Sequence, residues 1–242
     1  MYKTAVIIGA QRSGTTYLYR ILDRHPEICC AKPVKPEPKF FLDENFRNDK
    51  LLYFNTFYSH RNNSEKIFIE KSTSYYEYEN AIKNILRFDK NVKLIFMLRN
   101  PVDRALSNYF FSKNNGIENR TLEEVFIKNK ETPVLKKNIS VNPFDYLKRG
   151  EYSHNLKMIL KYISEENIKI IKSEDFFGNS AEIKSLYKFL GVDERYLPDI
   201  INEPVNSSKK EEFVPLGIRN LLEQYYKFFN KELEEITGKR FF

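Results

Sequence analysis

Residues 4–9 read TAVIIG, a short β-branched apolar run closed by glycine, and a second glycine follows five positions later in Gly9-Ala10-Gln11-Arg12-Ser13-Gly14-Thr15-Thr16. Such a run suits a strand buried on both faces. Leu18, Ile21 and Leu22 then fall at helical spacing until His25-Pro26, where the residue before proline avoids the helical region. A buried strand, a glycine turn and a helix in that order commit the chain to α/β alternation.

The alternation recurs. Residues 66–71 (KIFIEK), 92–98 (VKLIFML) and 168–172 (IKIIK) read as strands, and residues 79–88, 102–112, 153–164, 181–190 and 215–236 as helices, with Gly191 a C-cap. Strands alternating with helices predict a parallel sheet covered on both faces, with ligands at the carboxyl ends of the strands. The expected fold is α/β, a single P-loop-like three-layer domain with a central parallel sheet flanked by helices and spanning residues 1–242. Residues 42–65 and 113–151 break the pattern and read as insertions on the acceptor side, with surface insertions carrying a stray helix as the other reading.

Composition narrows the function classes. Forty Lys and Arg against 33 Asp and Glu give +7, which favours anionic partners without naming the anion. With 41% hydrophobic residues and no Pro/Gly-rich tract, disorder and collagen-like repeats are excluded. The two cysteines, Cys29 and Cys30, are neighbours, so they staple no distant segments and lack the second half of a zinc motif. No apolar run reaches the length of a membrane span, and a soluble cytoplasmic protein is expected.

The first turn has the G-x-x-x-x-G spacing of a phosphate-cradling loop, where backbone N–H groups and a helix N-terminus converge on an anion. Thr15 stands where an NTPase places its lysine, and Arg12 supplies positive charge from inside the loop instead. The bland alternative is a helix merely capped by Ser13 or Thr15.

The segment Q-R-S-G-T-T resembles the 5′-phosphosulfate loop of sulfotransferases that use 3′-phosphoadenosine 5′-phosphosulfate (PAPS). The resemblance implies that Arg12 is the loop's basic residue, with Gln11, Ser13, Gly14, Thr15 and Thr16 around the 5′-phosphate. Read physically, Arg99 ends a buried strand, Pro101 suits the first helical position and Ser107 lies on the following helix, so an arginine and a hydroxyl could meet one phosphate. The run R-N-P-V-D-R-A-L-S resembles the 3′-phosphate-binding segment of the same superfamily, which implies that Arg99 and Ser107 grip the donor's 3′-phosphate. The alternative is a structural Arg99 paired with Asp103.

Prolines on both sides of Glu37 stiffen its backbone and exclude a helix. The stretch K-P-E-P-K-F-F resembles the K-E-(P/V)-H-F-F signature of carbohydrate sulfotransferases related to the heparan sulfate enzymes, which implies Glu37 as catalytic base. Pro36 separates Lys35 from Glu37, and Lys39 sits where histidine is common. Residues 70–76, EKSTSYY, resemble that branch's E-K-(S/T)-P-x-Y-F segment with the proline replaced. Lys71 would then steady the transferring sulfonate, with Glu70 pointing the other way or supporting it and Tyr75 a weak acceptor contact. A structural ion pair is the bland account of Lys71. Tyr152 and His154 fall in a region resembling the acceptor cleft of the carbohydrate branch, and Lys39 joins them as an acceptor candidate. Ser208 and Lys209 belong to a basic loop that would close over the adenosine, or is simply a solvated loop.

Together the resemblance implies transfer of a sulfonate from PAPS to a hydroxyl or amine of a carbohydrate or other small acceptor, with adenosine 3′,5′-bisphosphate as product. Positioning and fixed cations suffice for in-line transfer, so no metal is required in principle, and no nucleic-acid partner is expected. Two rivals differ in class. A P-loop kinase would need the missing Walker lysine, and a basic nucleic-acid-binding module would need clustered basic and aromatic positions outside the crevice.

Overall fold

A computed structural model describes residues 3–62, 64–133, 141–203 and 213–242. In chain order its elements are β1 (Lys3–Gly9), α1 (Thr15–Asp23), β2 (Ile28–Cys30), α2 (Lys50–Phe57), β3 (Ile67–Lys71), α3 (Glu79–Phe88), β4 (Lys93–Leu98), α4 (Pro101–Asn114), α5 (Leu122–Phe126), α6 (Tyr152–Leu160), β5 (Ile168–Lys172), α7 (Ser173–Phe176), α8 (Ser180–Leu190) and α9 (Leu216–Thr237). They divide into two compact units, one built from Met1–Leu98 and Leu156–Val205, the other from Arg99–Asn155 and Asn206–Phe242.

The first unit holds the sheet. Its strand order is β2-β3-β1-β4-β5 and every pairing is parallel. β1 therefore lies centrally, and from Thr4 to Gly9 every residue on it is buried, as a strand covered on both faces demands. Side chains alternate across the sheet. On one face Ala5, Ile7, Ile69, Ile95 and Met97 pack with Leu18, Ile21 and Leu22 of α1 and Ile183, Leu186 and Leu190 of α8. On the other, Phe68 meets Phe54 of α2 with ring centres 5.2 Å apart, and Tyr53 packs on Phe88 of α3 at 4.7 Å. Each fully buried Leu, Ile or Phe contributes about 1.5–3 kcal/mol. The α/β fold with a parallel sheet flanked by helices is the architecture that the alternation predicts.

Helix limits follow local chemistry. Asn179 caps α8 by accepting from the amides of Ala181 and Glu182, and Gly191 ends it at φ 77°, a left-handed conformation that costs glycine nothing. β2, α2, α5 and α7 lie outside the predicted segments. β2 is only three residues, Ile-Cys-Cys, too short to show alternation, yet all three are buried against β3. Residues 42–65 contain α2, capped by the Asp49 side chain. Tyr53 and Phe54 are buried while the apolar Leu51 and Leu52 are exposed on the opposite face, which is why the segment lacks a helical polar–apolar period.

The second unit is helical among its described residues. Val102, Leu106 and Tyr109 of α4 pack with Phe126 of α5, Tyr146, and Ile218, Leu222 and Tyr226 of α9. The 113–151 stretch thus carries a short capped helix, in which Thr121 and Glu124 bond each other's backbone reciprocally. No helix among the described residues is long and apolar enough to cross a membrane.

Candidate active site

β1 ends at Gly9, where an added Cβ would lie 2.3 Å from the Tyr76 ring, so only glycine lets the chain leave the sheet here. Ala10 N–H donates to the Met97 carbonyl at 2.7 Å, tying the turn to β4. Arg12 then takes φ 70° and Gly14 φ 83°. A left-handed arginine is sparsely populated and costs on the order of 1–2 kcal/mol, so the fold around it imposes that conformation. Gly14 is the N-cap of α1 and no side chain caps it. The simple capping role for Ser13 or Thr15 is therefore absent. Instead the Ser13 hydroxyl is fully buried with no hydrogen-bond partner among the described residues, and the amides of Thr15 and Thr16 precede the first intrahelical bond, from Tyr17 N–H to the Gly14 carbonyl at 2.9 Å. Gln11, Arg12 and Thr16 are half-buried and Thr15 is buried. This is a turn with spare donors, suited to an anion.

β3 runs beside β1 with Lys71 opposite Ile7 and Glu70 opposite Val6, so both lie at the carboxyl end where that turn begins. Lys71 is 5% exposed and its Nζ donates to Glu37 Oε1. Thr73 completes the cradle: its N–H donates to Glu37 Oε2 at 2.9 Å, and its hydroxyl lies 3.0 and 3.1 Å from the two carboxylate oxygens. Glu37 keeps 19% of its side chain exposed, so Lys71 and Thr73 hold the residue without sealing it from solvent.

Beneath this pair lies Glu70, fully buried. Hydroxyls of Tyr75, Tyr53 and Ser72 donate to it at 2.5, 2.7 and 2.8 Å. Burial pushes its pKa upward against the pull of those hydroxyls, and the Glu37 charge adds to the rise. The same hydroxyls also accept. Ser72 takes the Lys39 N–H at 2.9 Å and Tyr75 takes the Phe41 N–H at 3.1 Å. The chain just after Glu37 is thereby pinned to β3. Lys39 holds φ 52° in this arrangement, and its side chain is half-buried. Tyr75 is 0% exposed, so its side chain lies inside the protein beneath the site.

In the second unit, Asn100 caps α4 by accepting from Val102 N at 3.0 Å and Asp103 N at 3.3 Å, with Pro101 at the first helical position. Arg99 immediately precedes this cap and is half-buried, as is Ser107 on α4. The Tyr152 hydroxyl donates to the Arg99 carbonyl at 2.9 Å, so Tyr152, itself 1% exposed, supports that backbone. Asp103 pairs with Arg219 of α9 at 3.0 Å. His154 is exposed on α6. Ser208 and Lys209 lie outside the described residues.

Of the other histidines, His25 is buried and bonded to the Asp193 carbonyl and the Glu27 amide, and His60 lies 3.5 Å from the Cys29 sulfur. Among the described residues no group of three or more His, Cys, Asp or Glu could hold a metal ion. Sequence reasoning passed over Thr73. Its position in EKSTSYY was visible only as a departure from a proline, which carries no N–H to donate.

Comparison with known proteins adds a direct finding. The family described as Sulfotransferase domain matches residues 3–233. The human bifunctional heparan sulfate N-deacetylase/N-sulfotransferase 2 is 28% identical over 194 residues, covering 77% of this chain and 22% of that protein. The human heparan sulfate glucosamine 3-O-sulfotransferase 3B1 is 28% identical over 189 residues, covering 78% of this chain and 46% of that protein. The chain thus spans less than half the length of either relative. A sulfotransferase crystal structure from Alicyclobacillus acidocaldarius shares the fold at TM-score 0.78 and 24% identity, covering 99% of this chain and 97% of that one. A mouse sulfotransferase solved in complex with PAP aligns at TM-score 0.54 and 15% identity, covering 98% and 86%. Neither the kinase nor the nucleic-acid-binding reading is favoured by these matches.

Proposed function

The chain belongs to the sulfotransferase domain family, and from that premise we propose that it transfers a sulfonate from PAPS to a hydroxyl or amine of a carbohydrate, with Glu37 as general base. The observation that supports the base assignment most is the cradle in which Lys71 and Thr73 hold the Glu37 carboxylate while leaving it partly open. The heparan sulfate relatives support a carbohydrate acceptor. The single-domain organisation, with residues 42–65 and 113–151 on the acceptor side, is part of the same reading. So is a cytoplasmic setting, which suits two buried, unlinked cysteines.

The turn after β1 fits the 5′ end of the donor on its own chemistry: a buried Ser13 hydroxyl with no partner among the described residues, an α1 start without a side-chain cap and the Arg12 guanidinium all favour an anion. Gln11, Gly14, Thr15 and Thr16 complete that turn, and Arg99 and Ser107 are assigned to the 3′-phosphate. Ser208 and Lys209 remain proposed donor contacts, and Lys39, Tyr75, Tyr152 and His154 weaker acceptor-side ones. Of these, Tyr75 and Tyr152 act through the backbone they support. When bound, PAPS supplies an activated sulfonate and leaves as adenosine 3′,5′-bisphosphate. Glu37 accepts the proton of the acceptor's O–H or N–H, so that the heteroatom's electron pair is free to attack. Lys71 and Arg12 offset the charge on the oxygens around the reacting centre, a task that needs no metal in this reading.

Thermal stabilisation by adenosine 3′,5′-bisphosphate should exceed that by ATP, and labelled sulfate from PAPS should pass to at least one member of a panel of glycans and phenols in the presence of a chelator. Equal stabilisation by ATP, or no transfer to any member, would overturn the assignment.

A further inference from the structure

We propose that Thr73 is a positioning residue for the base, holding Glu37 both before and after it takes the proton; the proposal rests on Glu37 being that base. Thr73 is 5% exposed and lies two residues beyond β3. Two of its groups address the carboxylate. The amide fixes Oε2 at 2.9 Å, and the hydroxyl sits 3.0 and 3.1 Å from the pair of oxygens. Lys71 addresses Oε1 alone.

The two partners differ in what they can do once the proton moves. An ammonium has donors only, whereas a hydroxyl offers one donor and two acceptor sites. With Glu37 ionised, both donate to it. As the acceptor's O–H or N–H bond breaks and its proton settles on a Glu37 oxygen, the carboxyl becomes neutral and gains a donor. Thr73 Oγ1 can rotate and receive that new O–H, while its amide still holds the other oxygen. Lys71 loses its charge partner and is free to turn toward negative oxygens at the reacting centre. A cradle made of donors alone could still hold the carbonyl oxygen but would leave the new O–H without an acceptor. Thr73 lets Glu37 change charge without changing place.

The test compares Thr73→Val, Thr73→Ser and Thr73→Pro with the native chain and Glu37→Gln, using whichever panel acceptor the native chain sulfates. Valine keeps the shape and removes the hydroxyl, and proline removes the amide donor as well. Thr73→Val should lower kcat about 10- to 100-fold, the worth of a hydrogen bond to a charged group. Its KM for donor and acceptor should stay within about twofold, as expected when ground-state binding is untouched. Serine should restore kcat to within about threefold, and proline should lose at least as much as valine. Calorimetric binding of adenosine 3′,5′-bisphosphate should be unchanged in the valine and serine variants. Full kcat in Thr73→Val beside an inactive Glu37→Gln would sink this proposal and leave the base assignment standing. An active Glu37→Gln would sink the base assignment and this proposal with it. Failure of serine to rescue, or loss of bisphosphate binding in Thr73→Val, would make Thr73 merely structural and overturn the proposal.

Discussion

Glu37 and Lys71 in the sheet-bearing unit meet from positions 34 apart in the chain, whereas Glu118 and Arg120 in the helical unit are separated by one residue. The second pair is closed. Glu118 is 0% and Arg120 7% exposed, Arg120 Nε and Nη2 grip the two carboxylate oxygens at 2.9 and 2.6 Å, and the Tyr146 hydroxyl adds a bond at 2.8 Å. Arg120 also reaches the Lys130 carbonyl at 2.6 Å, so its donors bind the chain that follows α5. The first pair is open on the Glu37 side, with a compact ammonium in place of a fork. Both pairs are buried enough to matter. The difference lies in what is left over: the closed pair spends its hydrogen-bonding capacity on its own unit, while the open one leaves lone pairs of Glu37 available to another molecule.

The sharpest way to break this contrast is to neutralise each glutamate. Glu37→Gln should reduce turnover at least about 100-fold, the usual worth of a positioned base, with bisphosphate binding nearly intact. Glu118→Ala should instead destabilise the protein by about 3–5 kcal/mol, because it strands a buried guanidinium. Urea unfolding with sulfate transfer measured on the folded protein separates the two. A Glu37→Gln enzyme that turns over normally, or a Glu118→Ala protein of native stability, would erase the distinction.

This contrast also marks how far the residues could be read beforehand. The strand–turn–helix of residues 4–22 and the helix of residues 181–190 were legible because each shows a clear pattern and a local stop signal, His25-Pro26 and Gly191. Glu37, Lys71, Arg12 and Arg99 stand out in the sequence as motif members, and Gly9 and Gly14 by their G-x-x-x-x-G spacing. Thr73 and the Glu70 hydroxyl network do not, since their roles depend on Glu37 and β3, or on Tyr53 of α2, meeting in space. β2 was hidden for the same reason: three residues carry no period, and only the neighbouring edge of β3 makes them a strand.

The smallest effect concerns two glutamates whose pKa values move in opposite directions. Glu70 is raised from an ordinary 4.5, with burial the dominant cause. In Glu118 burial also pushes upward, but bonds from the Arg120 side chain and backbone and from Tyr146 outweigh it and lower the value. The signs follow by linkage. A raised folded pKa means that the group binds its proton more readily when folded, so its stabilising contribution is present below about 4.5 and fades as pH rises through the folded value. A lowered one contributes above that pH and fades as pH falls. Glu70→Gln and Glu118→Gln replace each carboxyl with a group that does not titrate. The melting temperature of the native protein minus that of Glu70→Gln should therefore decline as pH rises above about 4.5, and the difference against Glu118→Gln should decline as pH drops below it. Two differences that change in the same direction would show that the hydroxyls of Tyr53, Ser72 and Tyr75 stabilise Glu70 as an anion as fully as Arg120 stabilises Glu118, and would leave openness to solvent, not charge compensation, as the property that separates the two regions.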